Sequence, residues 1–236
     1  MRSSRILCFL AGIIVVPAVL AVTRTAIAQT TTVSPDTMGS KMPSDIDPQS
    51  GFRLPLPKRE DLDEAGKRAY DRAASGQRSI VGLRGPAGIQ LYSTKTVEGR
   101  NAVAQYLRFD VFPPSVREVA ILTVAREMDS QFEWAAHEPE ALKEGVPLEV
   151  IDVIKHRKST QGVDETYAAI IEFGRQIFGG HKVTPETFAR VKALFEPTKL
   201  VELVLLMGNY SGTAALLTAF DMQLPEGQKP PLSDDR

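Results

Sequence analysis

The sequence predicts an all-α fold. Three observations carry this. From about residue 60 onward apolar residues recur at helical spacing, Pro and Gly punctuate the apolar segments, and no pair of alternating segments suggests two strands. Segment 61–74 is expected to be a polar first helix. Residues 77–93 contain the breakers Gly82, Gly85, Pro86 and Gly88 and read as a loop that closes over something. A second helix follows over 96–109. Pro113-Pro114-Ser115 opens a third, running to about 128, and a fourth covers 130–144 until Gly145-Val146-Pro147 stops it. A fifth spans 147–156, and a sixth runs from 164 to 178, where Gly179-Gly180 ends it. Thr184 as N-cap with Pro185 at the first helical position starts a seventh. The last helix, 199–220, is the most apolar and nearly so all round, which marks a central buried helix or an oligomer seam. It is internal, carries Glu202 and Asn209, and is not read as membrane-spanning.

Composition narrows the class. The chain has 236 residues, 43% hydrophobic and 24% charged, with a formal net charge of −1. There is no basic excess of the kind a nucleic-acid binder carries. The apolar content is too high for a disordered chain. Cys8 is the only cysteine, so an internal disulfide, a CxxC pair and a cysteine zinc site are excluded. Residues 1–28 read as a secretory signal: Arg2 and Arg5, then the apolar stretch 6–20, then Ala26-Ile27-Ala28 as a small-x-small site. Cleavage after Ala28 is expected, giving a periplasmic or secreted protein. An uncleaved anchor is the alternative. The mature chain would then contain no cysteine at all. Residues 29–57 are rich in Thr, Ser, Pro, Asp and Gly and read as a flexible leader ending in the rigid Leu54-Pro55-Leu56-Pro57. A helical domain over 58–228 and a tail over 229–236 complete the organisation.

The chemistry concentrates between Pro113 and Gly145. Neighbours of Glu118 at helical spacing are Ile121, Leu122 and Ala125, so its face is apolar. Glu133 and His137 are four residues apart and share one face, and Ser130 falls on the same stripe. Two carboxylates and an imidazole from adjacent helices could meet in an apolar pocket, the raw material of general acid–base catalysis. A plainer reading stands beside it. Ser115-x-x-Glu118 and Ser130-x-x-Glu133 both fit the capping box, in which each Glu only satisfies backbone N–H groups. Glu133-x-x-x-His137 offers only two metal ligands, so no metal is expected. His156 and His181 read as surface residues. Asn209-Tyr210-Ser211 is a glycosylation sequon in a buried-looking helix and is discounted.

The ordered set Arg117-Glu118-Val-Ala-Ile-Leu122, Glu133-Trp134-x-x-His137 and Ala141 with Gly145 resembles the carboxymuconolactone decarboxylase family, which has the alkylhydroperoxidase D-like fold. Leu107-Arg108-Phe109, Gly85-Pro86-x-Gly88 with Leu91-Tyr92-Ser93, and Val201-Glu202-Leu203 with Gly208-Asn209-Tyr210 extend the similarity over roughly residues 58–226. The resemblance implies functional roles for Glu118 and His137, and trimers or hexamers. The family's redox branch places paired cysteines where this chain has Ser130 and Glu133. Neither residue can replace thiol chemistry, so peroxidase activity is not expected. The decarboxylase branch releases CO2 from a lactone acid without a cofactor. On that pattern His137 is the candidate acid–base and Glu118 and Glu133 orient it. Arg108 and Arg117 are candidates for holding an anionic substrate, or else form structural ion pairs. Trp134 is a pocket wall or core packing, and Tyr210 lines the pocket or packs helices. The expected partners are a small molecule and copies of the same chain, with no nucleic acid and no membrane association after cleavage. The alternative is a non-catalytic binding or assembly protein on the same fold.

Overall fold

The computed structural model describes residues 42–76 and 81–233, and among them it is helical without a strand, as the periodicity predicts. The expected signal segment and the first part of the leader lie outside the described residues. Nine α-helices follow in order among those described: α1 (Glu64–Ala74), α2 (Pro86–Gln90), α3 (Thr94–Phe109), α4 (Pro114–Glu127), α5 (Gln131–Lys143), α6 (Leu148–Lys155), α7 (Glu165–Gly174), α8 (Pro185–Leu194) and α9 (Pro197–Ala219).

The starts and stops have local causes. The Asp63 carboxylate accepts from the Gly66 N–H and begins α1; the Thr184 hydroxyl accepts from the Thr187 N–H and begins α8. Pro114, Pro185 and Pro197 occupy first-turn positions, where a missing N–H costs nothing. A π-helical segment, Arg175–Gly179, prolongs α7 toward the expected stop at Gly179-Gly180. Within 77–93, α2 replaces part of the expected loop. Gly88 is needed there because a Cβ would lie 2.2 Å from the Leu83 carbonyl oxygen.

The centre of the fold is α4. Every residue from Arg117 to Arg126 is buried, so α5, α7 and α9 pack around it on several sides. The last helix, α9, does not take that central place: it buries Leu203, Leu206, Met207 and Tyr210 but exposes Val201, Val204 and Leu205. It is long and apolar enough to cross a membrane by length and composition, and half of its apolar window is buried within this fold.

Both ends of the expected domain need correction. The segment read as a flexible leader is packed from about residue 46. Phe52 is fully buried in a cluster with Ile89, Phe132, Leu217 and Met222. Backbone bonds Arg53 N–H to Phe220 C=O (2.9 Å) and Gln223 N–H to Gly51 C=O (2.9 Å) pin it to the end of α9. A polar average composition concealed a few apolar anchors. At the other end Leu232 is buried in the main core, and the Gln131 side chain pairs with both its N–H and its C=O (2.9 and 3.1 Å). The described part of the tail, 229–233, is therefore attached through Leu232.

Candidate active site

The turn between α4 and α5 creates the site. Asp129 sits in the left-handed region at φ 49°, and the Ser130 N–H donates to the Ala125 carbonyl at 2.8 Å. The chain reverses, and α5 returns along α4. Glu118, near the start of α4, then faces His137, in the second turn of α5. His137 Nδ1 lies 2.8 Å from Glu118 Oε2, with both side chains buried. Arg117 Nε donates to the other carboxylate oxygen at 2.9 Å, and Arg117 Nη1 donates to the Arg108 carbonyl at 3.0 Å. Glu118 is thus spent on Arg117 and His137, not on capping; Pro113 is the N-cap of α4.

This chain of contacts sets protonation states. Burial alone would raise Glu118, but the His137 hydrogen bond and the charges of His137, Arg117 and Arg108 bring it below the usual carboxylate range. Burial pushes His137 below its ordinary value and outweighs the pull of Glu118. Glu118 is therefore ionised and can only accept, so His137 carries its proton on Nδ1. Nε2 is left with a lone pair and no protein partner among the described residues. The His137 ring also meets the Tyr210 ring edge-on, with centroids 5.1 Å apart.

Glu133 is different. It is buried, and neither carboxylate oxygen has a hydrogen-bond partner. Burial pushes it up to about 8, against the opposing pull of the nearby Ser130 hydroxyl. At neutral pH Glu133 is predominantly a carboxylic acid. Ser130 is the N-cap residue of α5 but makes no side-chain cap bond, so the capping-box reading fails here too. Glu133 is not hydrogen-bonded to His137; of the two expected orienting carboxylates, only Glu118 orients the imidazole.

Glu133, His137, Tyr210 and Arg108 line one cavity of about 180 Å³, between α1, α2, α3, α5 and α9. Val81, Pro86 and Ala87 form part of its wall, so the described part of the 77–93 region contributes to the lining. The phenol of Tyr210 is held protonated by burial, which raises it. Asn209 also lines the cavity, consistent with discounting the sequon. Three expected substrate contacts are not there. Arg117 is buried behind Glu118 and spent on it. Trp134 is fully buried in the main core, beneath the Lys155 ammonium. Ser130 is buried at the α4–α5 turn outside the lining. His156 and His181 are exposed, as expected.

Sequence reasoning missed Arg72 and Arg100. Arg100, Asn101, Ala104, Gln105 and Arg108 follow i, i+4 and i, i+8 spacing on α3 and line the cavity together. That stripe was available in the sequence, but α3 carries too few apolar residues for its polar face to stand out. Among the described residues no three His, Cys, Asp or Glu side chains converge as a metal site. No protein-family profile matches the chain, and neither does any curated protein.

Proposed function

We propose that this protein is a cofactor-independent acid–base enzyme acting on a small anionic lactone or enolisable acid, by decarboxylation or isomerisation. The observation that carries the reading is one cavity lined by a neutral carboxylic acid, Glu133, and an imidazole whose tautomer Glu118 fixes, His137. Two titratable groups pushed in opposite directions by their surroundings give an acid and a base at the same pH. The resemblance to carboxymuconolactone decarboxylases points the same way. It also suggests the alkylhydroperoxidase D-like arrangement, assembly as a trimer or hexamer, and action outside the cytoplasm after export.

The steps follow from the groups present. Arg108 at the cavity wall holds the substrate carboxylate. In an isomerisation, His137 Nε2 removes the proton beside the carbonyl, and Glu133 delivers its proton to the carbon at the other end of the enolate. In a decarboxylation, the C–C bond to the carboxylate breaks, its electron pair enters the conjugated carbonyl, and Glu133 protonates the resulting carbon. The Tyr210 hydroxyl donates to the enolate oxygen as charge develops. Arg117 acts through Glu118 and never meets substrate.

A screen of lactone acids and enolisable acids against the purified protein supplies the assay. Glu133→Gln and His137→Ala should each lower kcat by about 10²–10⁴-fold, the range for removing a positioned acid or base. Full turnover in both variants would remove the pair from the mechanism, whereas no turnover of any acid in the screen would favour a binding protein on the same fold.

A further inference from the structure

The polar lining of the cavity is one-sided. Among the described residues Glu133 is the only acidic one that lines it, and it is predominantly neutral near pH 7. Arg72, Arg100 and Arg108 all line the same space, and none has an ion pair among the described residues. Nε of Arg100 and Nε of Arg108 are both buried without a hydrogen-bond partner. A buried guanidinium N–H without a partner is disfavoured, and both guanidinium-bearing side chains line the same cavity, which therefore suits a ligand that carries acceptors.

The two arginines serve different ends of that ligand. Arg108 is close enough to His137, Glu118 and Tyr210 to shift all three. Eight residues along α3 separate their backbones by about 12 Å. Arg100 is thus the far end of the cavity. Opposite it, on α9, is Gly212: a Cβ built there would lie 3.9 Å from Arg100 Nη1, in ordinary contact, so a longer side chain directed toward α3 would compete with the guanidinium for room.

We propose that Arg100 is a specificity residue that holds an anionic group of the ligand remote from the reacting carbon, with Gly212 leaving the space in which its guanidinium sits. The ligand class is a small molecule whose carboxylate or phosphate lies several bonds from the centre that meets Glu133 and His137. This rests on the proposed acid–base site for the location of the reacting end, but it is a statement about binding and is read without turnover.

The probes are linear carboxylates of four to eight carbons, in the range the cavity and α3 geometry allow (about 12 Å), their methyl esters, and alkyl phosphates of the same lengths. Calorimetric titration of the full protein gives their Kd. The carboxylate or the phosphate series should bind and the neutral esters should bind more weakly; whichever series is tighter identifies the group. Arg100→Gln should weaken anion binding about 10- to 100-fold, the loss of one charge-assisted contact, while ester binding stays the same. Arg100→Lys should recover part of it. Gly212→Leu, which favours the helix and so protects the fold, should weaken anion binding in the same direction. Equal binding of anions and esters, no anion binding at millimolar concentration, or an unaffected Kd in Arg100→Gln would each overturn the proposal. Full turnover in Glu133→Gln and His137→Ala would instead sink the catalytic reading and leave this one standing.

Discussion

Glu133 stands in an environment that its charged form does not tolerate. A carboxyl group with both oxygens buried and unpartnered keeps its proton, and burial lifts it to about 8 from a value of about 4.3 in the unfolded chain. The consequence for stability has a definite sign. Between those two values the folded protein retains a proton that the unfolded chain releases, so stability falls as pH rises through that window. Below it the burial costs little. Above about pH 8 the full cost, on the order of 5 kcal/mol, is present. Glu133→Gln has nearly the same shape and never ionises. Its stability should match the wild type near pH 4 and exceed it increasingly up to pH 8. Denaturant unfolding at several pH values measures the gap; a gap that does not change with pH would contradict the assignment. The sequence placed Glu118, Glu133 and His137 in one region because spacing reports which residues share a helix face. It did not reveal which carboxylate would touch the imidazole. That depends on the Asp129 turn and the depth at which α5 packs on α4, and both are properties of the assembled helices.

At the scale of elements, the helical pattern was legible and the two ends of the domain were not. The boundaries expected for α4 and α5 and the start expected for α8 agree with the structure to within a few residues, because proline, caps and glycine act locally. The leader failed as a reading because composition averages over a window and burial does not. Phe52, at 0% exposure, anchors it beside Phe132, which also lines the cavity. The Arg53 guanidinium then caps α9 by donating to the Ala219 carbonyl at 3.0 Å, a favourable place for positive charge. Phe52→Ala should therefore behave as a core truncation and lower unfolding stability by about 3–5 kcal/mol. Chemical denaturation monitored by circular dichroism reads this directly. A change below about 1 kcal/mol, ordinary for a surface site, would mean that the segment is not part of the core. The tail was missed for the same reason: Leu232 is one apolar residue in a polar run, and its partner Gln131 is 101 positions away.

At the scale of the whole molecule the question is what covers the outer face of α9. Isolated exposed apolar residues are ordinary on protein surfaces, but a continuous stripe is not. Val201, Val204 and Leu205 are 59, 40 and 53% exposed, and they continue at helical spacing into Gly208, where a Cβ would meet nothing within 4 Å. On α3, Val103 and Tyr106 are also exposed. The Tyr106 hydroxyl donates to Glu202, on the turn of α9 that carries Val201 and Leu205, so the two helices offer one surface. The small residue at Gly208 lets another helix approach closely. An α9 that is half buried in its own fold and half bare fits the seam the sequence suggested, and self-association would bury the bare half without a second protein. Sedimentation or mass photometry of the purified protein should give a trimer or hexamer. Leu205→Glu, which places a charge in the middle of the stripe and touches no core contact, should shift the mass toward the monomer while helical circular dichroism is retained. A wild-type monomer would show that this face is not a self-association surface.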